Sequence, residues 1–289
     1  MSFAVPKGAG DCHVHVFLDP GLYPFAEERV YTPPEASAAA LLTLQSALQL
    51  DRVVIVQPSV YGTDNAATIE GIRALGLARA RGVAVIDHNT SASELDVMGR
   101  AGVRGVRVNL ELAGEVDPAR SAKKLRDTAE QIRGRGWHIQ IYTQLWMIAA
   151  LRDCLADLAV PLAIDHFGGA RAELGPAQPG FDALLSLVRS GKAYVKVSGA
   201  YRCSSAAPAY SDVASLARPL IAANADRIVW GSDWPHPDGS RVEGRSPYAV
   251  TPCFSIDDGA LLNLLPTWAG DAETRRKILV DNPARLYDF

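Results

Sequence analysis

Two of the six histidines in the chain stand two positions apart near its start, in the stretch GDCHVHVF at residues 10–17. Side chains of a β-strand alternate between its two faces, so His13 and His15 point to the same side if this stretch is a strand. Two imidazoles on one face can bind a metal or a substrate. They can equally be structural, because a buried histidine needs only a hydrogen-bond partner.

The composition limits the kind of partner. The 289 residues are 48% hydrophobic, which suits one barrel-sized domain or two ordinary ones. The net charge is −3 and Lys and Arg are spread along the chain, so we expect a small-molecule partner and neither nucleic-acid nor membrane binding. No signal peptide or membrane span is recognised, and the four cysteines lack metal-ligand spacing, so we expect a cytoplasmic protein with reduced thiols. The oligomeric state is left open.

Eight apolar segments of strand length recur between segments with helical periodicity. The predicted strands are DCHVHV (11–16), VVIVQ (53–57), VAVID (83–87), VRGVRVN (103–109), HIQIYT (138–143), LAIDHF (162–167), AYVKVS (193–198) and IVWGSDW (228–234). This alternation predicts an α/β protein, a single TIM (β/α)8 barrel over residues 1–289. An open, doubly wound sheet is the alternative, but no strand is followed by the glycine pattern of a nucleotide-binding loop.

Polar residues stand where most of these strands end, which is where active sites of (β/α)8 barrels lie. The predicted strand ends carry His13, His15, Arg107, Asn109, Tyr142, His166, Ser198 and Asp233. Apolar packing does not explain three histidines and an aspartate around one barrel mouth. We therefore predict that His13, His15, His166 and Asp233 form a functional cluster.

Longer motifs around these residues resemble those of a known family. DCHVHVF, IDHFG, WGSDWPHP and DNPARLYDF are similar to motifs of the amidohydrolase superfamily, more narrowly of its branch of 2-pyrone-4,6-dicarboxylate lactonases. RVYTP, VIVQPSVYGTDNAAT and GVRVN extend the resemblance over nearly the whole chain. It implies a distorted (β/α)8 barrel and hydrolysis of a lactone, which is a cyclic ester.

The ligand set argues against a binuclear metal centre. Such a centre needs a bridging carboxylate or carbamylated lysine on the fourth strand and a histidine on the fifth, where this chain has Arg107, Asn109 and Tyr142. Arg107 would also place a positive charge near a bound cation. We expect that no metal is required, as the resemblance also implies. Four possible ligands for a single zinc ion remain: His13, His15, His166 and Asp233.

Without a metal, the cluster can still open an ester. Asp233 is the predicted general base, which takes a proton from the attacking water and later protonates the leaving oxygen. His13, His15 and His166 are predicted to polarise the lactone carbonyl and to stabilise the oxyanion by hydrogen bonds. Alternatively, Asp233 only caps the segment that follows it.

The resemblance also implies which residues bind substrate. Arg107 and Arg202 match positions that hold a substrate carboxylate by a two-pronged contact. Arg107 could instead pair with a buried acid, and Tyr142 could simply pack. We interpret Lys196 as a supporting residue. Further predicted substrate contacts are Tyr142, Tyr31, Ser59 and His236, the last with a loop-fixing role as an equal alternative.

The sequence departs from the pyrone lactonase pattern where that pattern has positive charges. In the lactonase pattern a basic pair follows RVN, whereas this chain continues with LELAGEVD at 110–117. The pattern also has an arginine after IDH, at the position where this chain has Gly169. A dicarboxylate should therefore bind poorly unless Arg171 or another loop residue substitutes. We expect a lactone with one carboxylate or another anion, or a sugar-acid lactone.

Three alternatives to a lactonase remain. The first is a lactone isomerase of the same branch, although Asp233 together with both His13 and His15 favours water activation. The second is a zinc decarboxylase of the same superfamily, which would want a histidine where Tyr142 stands. The third is a non-catalytic small-molecule binding protein, in which the loss of the Asp233 charge would leave ligand affinity largely intact.

Overall fold

Eight parallel strands form one sheet in chain order and close into a TIM barrel, so the predicted fold is confirmed. The computed structural model describes residues 1–240 and 243–289. The barrel closes between its first and last strands, where the amide of Asp233 donates to the carbonyl of His13 and the amide of His15 to that of Trp234, both at 2.8 Å. The strands are β1 Gly10–Val14, β2 Arg52–Val56, β3 Ala80–Ala84, β4 Val103–Asn109, β5 His138–Tyr142, β6 Leu162–Ile164, β7 Ala193–Ser198 and β8 Ile228–Gly231.

Helices surround the strands, and several begin at the caps that the sequence provides. Ser37 and Ser91 accept hydrogen bonds from the first turns of their helices, and Asp117 does so just before Pro118. A π-helical turn, Lys277–Asp281, joins the last two helices. The α-helices of the described residues are α1 Ala38–Leu48, α2 Ala66–Leu75, α3 Ala92–Arg100, α4 Pro118–Gln131, α5 Leu145–Ala150, α6 Arg152–Asp157, α7 Phe181–Arg189, α8 Ala200–Cys203, α9 Ala214–Ala223, α10 Asp258–Asn263, α11 Leu265–Trp268, α12 Ala272–Arg276 and α13 Asn282–Tyr287.

Four strands differ from their predicted bounds by more than one residue. β1, β6 and β8 end two or three residues early, at Val14, Ile164 and Gly231. Beyond β6 the chain turns, because His166 has φ 47° and Phe167 has φ 55°, a left-handed backbone that cannot continue a strand. β3 begins three residues before its predicted start, because parallel pairing with β2 sets its register through Ala80. His15, His166 and Asp233 therefore lie just beyond the ends of their strands.

The apolar core fills the layer between strands and helices, whereas the interior of the barrel also holds polar side chains. Lys196 and Gln140 are completely buried there. The four cysteines are free thiols, and Cys12, Cys154 and Cys203 are buried in the packing, as expected. Within residues 1–240 and 243–289, no helix has both the length and the apolar composition that crossing a bilayer takes.

Candidate active site

The structure brings the four residues of the predicted cluster together at the floor of the barrel mouth. The Nε2 atoms of His13 and His15 each lie 3.6 Å from Oδ1 of Asp233, and Nε2 of His166 lies 3.9 Å from the same oxygen. All four side chains are buried. Three imidazoles, from the end of β1 and from the turn after β6, thus converge on one carboxylate oxygen that follows β8.

The opposite ring nitrogen of each histidine has its own partner. Nδ1 of His15 lies 2.8 Å from the carbonyl oxygen of Val56, and Nδ1 of His13 lies 3.2 Å from a carboxylate oxygen of Asp165. The carbonyl of Val56 and the carboxylate of Asp165 only accept hydrogen bonds, whereas Nζ of Lys196, 3.4 Å from Nδ1 of His13, already donates to the carbonyl of Cys12 and to Gln140. We therefore assign a proton to Nδ1 of each ring. When each ring carries this single proton, His13 and His15 direct lone pairs, not N–H groups, at Asp233. Polarisation of a carbonyl by these two rings stays a prediction, since it needs a proton on Nε2.

His166 differs, because its Nδ1 lies 2.9 Å from the hydroxyl of Ser198. A hydroxyl can donate as well as accept, so His166 can carry its proton on Nε2 and donate toward the centre of the site. Burial lowers the pKa of His166 to about 4, and burial also holds the pKa of His13 well below its usual range. Both rings are therefore neutral at pH 7.

Asp233 is an ionised carboxylate although it is fully buried. Burial would raise its pKa, but the nearby charge of Arg202 outweighs burial and holds the pKa well below its usual range. Its second oxygen, Oδ2, accepts hydrogen bonds from Nε of Arg202 and, at 2.7 Å, from the hydroxyl of Tyr201. Burial and the negative charge of Asp233 raise the pKa of Tyr201, so its hydroxyl stays protonated. Oδ1 alone is free to act on a ligand.

A second buried carboxylate, Asp165, supports the cluster from below. It accepts a hydrogen bond from Nε2 of Gln140 at 3.0 Å and pairs with Arg107 at 3.3 Å and with Nζ of Lys196 at 3.5 Å. Lys196 also donates to Oε1 of Gln140 at 2.6 Å. Arg107 therefore does pair with a buried acid, one of the two alternatives that the sequence left open. Its Nη1 has no partner among the described contacts, and the residue lines the mouth.

A cavity of about 600 Å³ opens above this floor. Tyr31 and Ser59 approach each other in its wall, and Arg202 uses Nη2 to donate to the carbonyl of Pro237 at 3.2 Å. The sequence-predicted residues that line the cavity are His15, Tyr31, Ser59, Arg107, Tyr142, His166, Arg202 and Asp233.

Three other residues named from the sequence lie apart from this lining. His13 is completely buried beneath it. His236 places Nε2 3.1 Å from Oδ1 of Asp258 and meets the ring of Tyr201 edge-on, which favours its loop-fixing role. The guanidinium of Arg171 pairs with Glu173, so it is engaged on the surface.

Sequence reasoning missed three polar residues of the site, namely Asp165, Gln140 and Tyr201. Gln140 had a detectable signal, since it stands in the middle of a buried apolar strand, as Lys196 does on another. A buried lysine inside the barrel requires a counter-charge, and a buried glutamine requires hydrogen-bond partners. Tyr201 carried no distinguishing pattern beyond its place next to Arg202.

The donor set fits one zinc ion. Atoms of His13, His15 and Asp233 lie within 4.8 Å of one another, and Nε2 of His13 and Oδ1 of Asp233 are buried without a hydrogen-bond partner among the described residues. The outward contacts of the Nδ1 atoms also match the way proteins orient zinc-binding histidines. A second metal is not supported, because Arg107 and Tyr142 hold the positions that its ligands would need.

A TIM barrel with this histidine and aspartate cluster at the carboxyl ends of its strands is typical of amidohydrolases. The sequence profile described as Amidohydrolase matches residues 11–289. The chain belongs to this family, and the predicted membership is confirmed.

Characterised relatives match over almost the full length. The chain is 36% identical to a 4-sulfomuconolactone hydrolase of Hydrogenophaga intermedia over 99% of this chain and 91% of the relative, and 36% identical to a 2-pyrone-4,6-dicarboxylate hydrolase of Comamonas testosteroni over 99% and 92%. It is 29% identical to a D-galactarolactone isomerase of Agrobacterium fabrum, over 98% and 92%. A Pseudomonas putida crystal structure, described as a candidate 2-pyrone-4,6-dicarboxylic acid hydrolase, superposes with a TM-score of 0.79 at 32% identity over 97% of both chains.

Proposed function

We propose that this protein hydrolyses a small anionic lactone. The observation that carries the proposal is the ionised, buried Asp233, whose free oxygen faces the lone pairs of His13 and His15 at the floor of a cavity edged by Arg107 and Arg202. The hydrolases among its relatives act on lactones that match this description by name.

The cluster is arranged to hold and activate water. A water molecule between Asp233 and the two imidazoles can donate one hydrogen to Oδ1 and the other to an Nε2 lone pair, which leaves its own lone pair for the carbonyl carbon. Asp233 takes one proton as the carbon–oxygen bond forms, and the ring oxygen receives that proton when the carbon–oxygen bond of the lactone breaks. The products are a carboxylic acid and a hydroxyl group.

The other side of the cavity stabilises charge. His166 can donate from Nε2 to the carbonyl oxygen while the hydroxyl of Ser198 donates to its Nδ1. Among the ionised groups that meet at the floor, Arg107, Lys196 and Arg202 are positive and Asp165 and Asp233 are negative, so these five groups carry one net positive charge. This charge favours an anionic substrate, which the unused Nη1 atoms of the two arginines can contact. Tyr31, Ser59 and Tyr142 would contact the rest of the ring.

We expect that the reaction requires no metal. Arg202 already neutralises Asp233, and a divalent cation would add charge beside it. A zinc ion held by His13, His15, His166 and Asp233 would supply a Lewis acid. Prolonged treatment with a chelator, followed by metal analysis, should leave kcat unchanged within about twofold. One zinc per chain, together with loss of activity on its removal and recovery on its return, would contradict this.

The pH dependence should show no titration of His166 or His13 near neutral pH. With His166 at a pKa of about 4 and His13 lower than usual, protonation of these two rings should lower kcat/KM only below about pH 5. The reason for the fall is that a protonated imidazole donates to Oδ1 of Asp233 and occupies the oxygen that must accept the proton of water. Stopped-assay rates corrected for spontaneous hydrolysis provide the test, and a kcat/KM that stays level down to pH 4 would contradict it.

Isomerisation is the second candidate, because one relative is a lactone isomerase. The experiment that tests hydrolysis is a screen of the purified protein against monocarboxylate, dicarboxylate, sulfonated and sugar-acid lactones, with products identified by mass. Ring-opened product of at least one anionic lactone supports the proposal. Lactones rearranged without ring opening would favour the isomerase, and binding without turnover would favour a non-catalytic binding protein.

A further inference from the structure

Glu111 places a negative charge in the wall of the cavity. It lies two residues beyond β4, lines the cavity and is only partly buried. Its amide donates to the carbonyl of Tyr142 at 3.2 Å, which fixes the backbone beside the fifth strand. Its carboxylate has neither an ion pair nor a hydrogen bond within the described ranges 1–240 and 243–289.

The other ionised side chains of the lining are balanced. Arg107 pairs with Asp165, Arg202 with Asp233, and Asp238 with Arg245 at 2.7 Å. Glu111 places its negative charge in the wall, apart from the positive charge of the floor. One substrate anion can still bind directly to the arginines, whereas a second anion placed beside Glu111 would meet a like charge.

We propose that Glu111 is a specificity residue that selects lactones with one anionic group and with hydroxyl groups that lie beside Glu111. This deepens the proposed lactonase function and rests on it. A carboxylate without a protein partner accepts hydrogen bonds from hydroxyls, and these bonds are stronger than those between neutral groups. The same carboxylate repels a second carboxylate or a sulfonate, so discrimination combines one attraction with one repulsion.

The test compares a hydroxylated lactone that has one carboxylate, D-galactarolactone, with 2-pyrone-4,6-dicarboxylate, which has two and no hydroxyl. Glu111→Gln keeps the shape and removes the charge. Glu130→Gln makes the same substitution on α4, outside the cavity, and serves as the control. Kinetic constants are measured on all three proteins, and calorimetric dissociation constants, measured with the Asp233→Asn substitution present in each, repeat the comparison without turnover.

In the native protein, D-galactarolactone should bind more tightly than the dicarboxylate. Glu111→Gln should shift the ratio of the two affinities toward the dicarboxylate by about tenfold, through KM and Kd, with kcat changed by less than about threefold. Glu130→Gln should leave the ratio unchanged.

The outcomes separate the two proposals. An unchanged ratio in Glu111→Gln, or native preference for the dicarboxylate, overturns the role of Glu111 even if lactones are hydrolysed. Conversely, the expected shift in Kd without ring opening of any lactone supports the role of Glu111 in binding and refutes hydrolysis. A thermal melt of each variant confirms that the comparison is made on folded protein.

Discussion

Asp233→Asn should lose about two to four orders of magnitude in kcat, the range expected when a general base is removed. The amide keeps the size of the side chain and can still face Tyr201, but it cannot take a proton from water. The measurement is steady-state hydrolysis of the best lactone from the screen. Asp226→Asn, which removes a half-exposed charge beside β8 at the opposite end of the barrel, is the control and should retain native kcat.

Affinity distinguishes this expectation from a purely binding role. Calorimetry should show that Asp233→Asn still binds the lactone within about tenfold of the native protein, because Arg107 and the cavity wall are unchanged. Near-native kcat in this variant would refute Asp233 as the base. Retained binding in a native protein that turns over none of the lactones would favour the non-catalytic alternative.

Asp165→Asn should lower the free energy of unfolding by about 3–5 kcal/mol, the usual cost of removing one partner from a buried ion pair. Arg107 and Lys196 would then both be buried without their counter-charge. The NH2 group of the new amide, which can only donate a hydrogen bond, would also face donor groups. Urea unfolding followed by circular dichroism measures the difference. Asp127→Asn, whose partner Lys123 is exposed on α4, should change stability little.

Asp165→Asn should also disturb the candidate active site. Without the carboxylate, Nδ1 of His13 loses the acceptor that fixes its proton, so catalysis should fall in the folded variant as well. Native-like stability of Asp165→Asn would show that the buried cations are compensated in another way and would remove the physical basis for the network.

The repeating apolar segments were enough to predict the barrel, because strands buried on both faces leave an uninterrupted apolar signal. The same segments could not predict at which residues the strands begin and end. β3 starts at Ala80, and its first residues, including Arg81, do not look like a buried strand; Arg81 reaches outward to the carbonyl of Asp288. The turn after β6 continues left-handed backbone from His166 and Phe167 into a glycine pair, which indicates a turn but does not show that it begins as early as His166.

The grouping of the polar residues at the carboxyl ends of the strands was predictable, because titratable side chains at several strand ends must meet in a barrel. Their hydrogen-bond roles were not, since the protonated nitrogen of His15 is set by the carbonyl of Val56 on the neighbouring strand. The pairing of Arg107 with Asp165 joins residues 58 positions apart, which only the closed barrel brings together.

Hydrolysis in water enriched in ¹⁸O tests the central claim most directly. If Asp233 delivers water to the carbonyl carbon, a single turnover of an anionic lactone should place one ¹⁸O atom in the new carboxylate and none in the new hydroxyl, as read by mass spectrometry. A product lactone without the label, or ring-opened product labelled in its hydroxyl group, would contradict it.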